Sequence, residues 1–168
     1  ALEVIEALDV LEGQTGRFRD LIVRLAGITL AHSGILQAEA EGEKHAERCL
    51  ADGLALKKFD EWIAAQSDGL SRAGTLRSSL PKAPEMQDVC WDGLDIQVSS
   101  LDAFEVGTVA MQLGAGRSSK AGTIDHAVGI EVLTEVGARL SSGQRVFKVH
   151  SQTPISEEIV RRLLSSIA

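Results

Sequence analysis

Residues 67–84 read SDGLSRAGTLRSSLPKAP. Ser, Gly and Pro crowd this stretch, and such residues interrupt regular structure: Gly frees the backbone, while Pro fixes φ and removes an N–H donor. Apolar residues recur with a helical period before it and tend to alternate after it. The stretch therefore predicts a linker at residues 71–84 between a helical segment, residues 1–70, and a C-terminal domain, residues 85–168.

Upstream, Leu2, Ile5, Leu8 and Leu11 lie close to helical spacing, and Gly13 follows as a stop. Leu21, Ile22, Leu25 and Ile28 mark a second helix ending near Gly34. AEAEGEKHAERCLADG, residues 38–53, reads as a third helix. Gly42 weakens it, because Gly is a poor helix former. Leu56, Phe59 and Ile63 give a fourth helix through Gln66.

Downstream, Leu94, Ile96 and Val98 alternate as in a strand. A helix follows, with Asp102 as its cap, Glu105 placed as in a capping box, and Val106, Val109, Ala110 and Leu113 as its buried stripe. Gly114 ends it. Short strands are expected around residues 130–133 and 146–149. Ser156 then caps a last helix whose first turn holds Glu157 and Glu158, which suit its positive end. The fold class is α+β.

The 168 residues are 44 % apolar and 24 % charged, ordinary values for a globular chain with a core. The net charge of −7 lacks the basic footprint of a nucleic-acid binder. No apolar run approaches the roughly 20 residues of a membrane span. Cys49 and Cys90 form no CxxC and read as free thiols in a reducing compartment, so a cytoplasmic protein is expected. The chain opens on Ala1 inside a helical pattern, which suggests a fragment or a processed chain.

The stretch LGAGRSSKAGTIDHAVGIEVLTEVG, residues 113–137, looks at first like a phosphate loop. A phosphate loop places its glycines before a helix, where free N–H groups and the dipole face the anion. Here the glycines follow a helix and act as caps and turns. Arg117 and Lys120 could still meet an anion contributed by another part of a larger protein. His32, His45, His126 and His150 are widely spaced, and none makes an HxxxH or HxxE metal pair. Asp125 precedes His126, but adjacent side chains leave opposite sides of most backbones, which argues against an acid–base dyad. Ser33, Ser118 and Ser119 lack the strand–turn–helix setting of a nucleophile elbow. Phe59 and Trp62 at helical spacing read as packing residues, and Glu6 as a solvated helix charge. The residues alone present no catalytic constellation.

Longer strings carry more. LGAGRSSKAGTIDHAVGIEVLTEVGARLSSGQRVFKVHS, residues 113–151, resembles the C-terminal domain of the thymidine and pyrimidine-nucleoside phosphorylases. ALEVIEAL (1–8), LADGLALKKFDEWIAAQSD (50–68) and LPKAP (80–84) follow that family's order and approximate spacing. The resemblance implies a homodimeric nucleoside-salvage enzyme in which inorganic phosphate, the co-substrate, displaces the base of a pyrimidine nucleoside. It implies no organic cofactor and no nucleic-acid or membrane partner.

The family's phosphate and base contacts lie in its N-terminal half, so no catalytic or substrate-binding residue carries over to this chain. One ligand does. The Glu of the ALEVxEA helix, here Glu6, supplies a carboxylate to a monovalent cation, expected to be potassium, in the complete enzyme. The Gly114–Gly122 loop would belong to the lobe that closes over the cleft, with Arg117, Ser118 and Lys120 latching it. The chain departs from the family at Leu94–Asp95, where an aromatic or aliphatic pair is usual.

The C-terminal domain is expected to be a small mixed α/β unit of barrel-sandwich type. Two further readings stand beside the enzyme part, the first of them raised by that architecture. One is a carrier module, which needs its lysine, Lys120 or Lys148, at an exposed hairpin tip beside Met. The other is a truncated product kept as an interaction protein.

Overall fold

A computed structural model describes residues 1–67, 73–117 and 122–168. The chain divides into two compact units, Glu3–Leu80 and Ala1–Leu2 with Pro81–Ala168.

The first unit is helical: α1 (Leu2–Leu11), α2 (Arg17–His32), α3 (Glu39–Ala51), α4 (Leu54–Gln66) and α5 (Ala73–Ser79). The four periodic runs upstream of the linker become α1 to α4. Gly42, the residue that weakens α3 by propensity, has a packing role. A Cβ on Gly42 would stand 2.7 Å from the Cα and carbonyl oxygen of Gly27 in α2. A Cβ on Gly27 would stand 2.8 Å from the carbonyl oxygen of Glu39. The two helices thus meet backbone to backbone where neither residue has a side chain. Arg24 of α2 reaches Glu39 at 2.9 Å and Glu43 at 2.5 Å across the same contact.

Helix α5 lies inside the stretch read as linker. Serine hydroxyls there bond back to the helix, Ser78 to the carbonyl of Thr75 and Ser79 to that of Leu76, both at 2.9 Å. Arg77 bridges Asp9 at 2.7 Å and Glu12 at 2.9 Å. Composition marks a breaker here, but long-range ion pairing supports a short helix.

The second unit carries β1 (Glu85–Cys90), β2 (Ile96–Gln97), α6 (Ala103–Ala110), a π-type turn over Met111–Ala115, β3 (Gly129–Val132), β4 (Arg139–Leu140), β5 (Arg145–Ser151) and α7 (Glu157–Ser165). An antiparallel sheet has the order β1-β5-β3, and β2 pairs with β4 in a second, two-stranded one. Among the described residues these strands close no barrel. Phe147, Val149, Val109 and Leu163 are fully buried in one core, with Val89, Val98 and Leu140 beside them.

Local sequence explains most of this unit. The Asp102 side chain accepts the N–H groups of Phe104 at 3.0 Å and Glu105 at 3.1 Å, and so caps α6. The capping box is not completed. The Asp102 N–H donates to the Ser166 carbonyl at 2.8 Å, and Glu105 instead accepts from Arg162 Nε at 2.5 Å. Ser156 caps α7 by accepting the Ile159 N–H at 3.3 Å.

The strand expected through Leu94, Ile96 and Val98 is shorter than its alternation suggests. Leu94 is 86 % exposed, in a turn held by the Trp91 indole donating to the Leu94 carbonyl at 2.7 Å. Strand β1 gives little periodic signal, because Val89 is its one buried residue. It forms because β5 offers a continuous ladder from Ser151 to Phe147.

Candidate functional site

The sequence points to the region after α6, and the structure shows how that segment leaves and returns. Gly114 sits at φ +109, a left-handed backbone that disfavours any side chain. Its carbonyl accepts the Asp125 N–H at 2.9 Å, so the chain departing at Gly114 comes back beside it at Asp125. One Asp125 carboxylate oxygen accepts the Ala127 N–H at 2.9 Å, and the other accepts from Gln152 Nε2 at 2.7 Å. These two bonds, the Ala127 N–H first, hold the Asp125 carboxyl below the usual carboxylate range.

Arg117 is exposed, three residues beyond Gly114, while Ser118 and Lys120 lie outside the described residues. The side chain of His126 is also exposed. Both oxygens of Asp125 bond to Ala127 and Gln152, an arrangement that serves backbone geometry rather than an acid–base dyad.

Glu6 is exposed on α1, whose Leu8 and Val10 are buried. Among the described residues no three His, Cys, Asp or Glu side chains converge as a metal site. Potassium can also be held by backbone and hydroxyl oxygens, so this concerns transition-metal centres more than Glu6.

Two histidine pairings escaped the sequence reading. His150 Nε2 lies 2.5 Å from a Glu131 oxygen across the β3–β5 ladder. Residue spacing could not show it, because it depends on the register that sets Gly129 opposite His150. His45 and Cys49, one turn apart on α3, approach to 3.6 Å, and their i, i+4 spacing was the available signal. Both line an apolar cavity of about 550 Å³ within the helical unit, with Val10, Phe18 and Val23. Lys148, one of the two candidate lysines for a carrier, lies in mid-strand. It faces Asp88 on one side and Glu131 on the other, rather than capping a hairpin.

Residues 97–168 match the family model of the pyrimidine nucleoside phosphorylase C-terminal domain. The chain is 36 % identical over 163 residues to a thymidine phosphorylase of Homo sapiens, covering 92 % of this chain and 34 % of that protein. It is 33 % identical over 169 residues to a pyrimidine-nucleoside phosphorylase of Geobacillus stearothermophilus, covering 99 % of this chain and 38 % of the relative. A thymidine phosphorylase of Rattus norvegicus is 35 % identical over 171 residues, 97 % of this chain and 36 % of that one. The chain thus spans little more than a third of the length of these curated relatives.

Proposed function

We propose that this chain, which belongs to the thymidine and pyrimidine-nucleoside phosphorylase family and matches its C-terminal part, completes an enzyme that cleaves pyrimidine nucleosides with inorganic phosphate. A phosphate oxygen attacks the anomeric carbon, the bond to the base nitrogen breaks, and the base leaves with the proton that hydrogen phosphate gives up, while the pentose keeps the phosphate. The observation that carries this reading is similarity over more than nine-tenths of the chain to relatives named for that activity.

The groups that hold phosphate and base belong to the part of the enzyme outside this chain. Phosphorolysis needs cations and N–H donors around an anion, with water kept out. Within the chain, Arg117, with Ser118 and Lys120, supplies positive charge at the edge of the closing cleft. Its exposure at the root of its segment supports that role. Glu6 gives one carboxylate to a potassium ion. The complete enzyme is a cytoplasmic homodimer.

The test follows base release from thymidine and uridine, with and without inorganic phosphate, by the phosphorylase containing this chain and by the chain alone. Phosphate-dependent release by the complete enzyme and none by the chain is the expected result. Phosphate-independent release, or no release by a folded complete enzyme, overturns the reading.

A further inference from the structure

We infer that Asp125 is a positioning residue that, with Gln152, fixes the neck from which Arg117 projects. The inference rests on the reading of Arg117 given above. Three bonds meet at Asp125. Its N–H joins the departing strand of the neck at Gly114, 2.9 Å away. One carboxylate oxygen takes the Ala127 N–H and so shapes the turn leading into β3. The other takes the amide of Gln152, just beyond the end of β5. The neck is therefore tied at once to its own start, to the next turn and to the exit of the central strand.

Packing agrees with this. A Cβ on Gly114 would stand 3.6 Å from both the Asp125 Cβ and a Val128 methyl, so the two sides of the neck lie in van der Waals reach. Arg117 leaves only three residues from this point, too few for its backbone to wander far from the clasp. Both carboxylate oxygens are engaged in this clasp, one by a backbone N–H and one by a side-chain amide.

The test is a double-mutant cycle in the complete phosphorylase, reading kcat and the KM for inorganic phosphate. Loss of a charge-assisted contact suggests that Arg117→Ala lowers kcat/KM about tenfold or more. Asp125→Ala is expected to lower it by a comparable factor, and to add little in the Arg117→Ala background. Asp125→Asn should recover most activity, because its oxygen still accepts the Ala127 N–H and Gln152 can turn its carbonyl toward the new amide. If Asp125→Ala does not fold, Gln152→Ala takes its place in the cycle. Additive losses overturn the inference, as does an effect at Asp125 with Arg117→Ala silent, or no effect at Asp125. A wild-type enzyme without phosphorolysis is a different result, and sinks the proposed function itself.

Discussion

The helical unit and the C-terminal unit solve the problem of burial differently. In the C-terminal unit, among the described residues, buried side chains from both sheets and two helices form one cluster, with Phe147, Val149 and Leu163 fully buried. Among its described residues the helical unit buries few side chains, and α2 and α3 approach backbone to backbone at Gly27 and Gly42. Leu21, Ile22, Leu25, Leu54 and Trp62 remain exposed, and an apolar cavity opens among α1, α2 and α3. One unit is held by side-chain volume. The other buries Leu8, Val10 and Val23 and adds a close backbone approach and ion pairs at Arg24 and Arg77. Two kinds of mutation should therefore behave oppositely in the two halves.

The largest effect is expected at Phe147. Removing a fully buried ring leaves a cavity, and Phe147→Ala should cost about 3–5 kcal/mol in denaturant unfolding. A loss under 1 kcal/mol would mean that the C-terminal unit does not depend on its core. In the helical unit the informative change adds volume. Helix propensity alone makes Gly42→Ala stabilising by about 1 kcal/mol. The contact with Gly27 predicts the reverse, a loss of about 1–3 kcal/mol, since backbone must move to admit the methyl. A gain in thermal stability would break the comparison at its base.

A smaller effect sharpens the account of the C-terminal unit. Asp102→Ala removes an acceptor shared by two N–H groups and should cost about 1 kcal/mol, read as a lowered denaturation midpoint. The smallest is pH-dependent. The Asp125 carboxyl is depressed in the folded state, so its contribution is present above its unfolded pKa of about 3.9 and is lost as pH falls through the lower folded value. The stability gap between wild type and Asp125→Asn should narrow as pH drops below about 4. A gap that is constant from neutral pH to pH 3 would show that the two N–H donors do not favour the charged form.

Much of the architecture could be read from the chain, because helix periodicity and capping are local. The stripe from Val106 to Leu113, the caps at Asp102 and Ser156 and the stop at Gly114 all reappear in the structure. Strand β1 was invisible because an edge strand with one buried residue has no alternation to read. Helix α5 was hidden because Ser and Gly suggest a linker unless a distant partner such as Asp9 is known. At the candidate site, Arg117 stood out by charge in a Gly-rich stretch. Asp125 was noticed only as a neighbour of His126. Its partner Gln152 lies 27 positions away and gave no signal.

By itself, the sequence determined the α+β class, the change of period across residues 67–84, most helix limits and the likeness to the phosphorylases. Each rests on residues near one another in the chain, or on strings long enough to be distinctive. Only the tertiary structure decided that Gly42 is a contact rather than a flaw, that Glu105 serves Arg162 rather than its own cap, and that Asp125 closes a neck. Those roles arise where segments distant in sequence meet, and the energy of such a contact depends on a partner that local pattern does not specify.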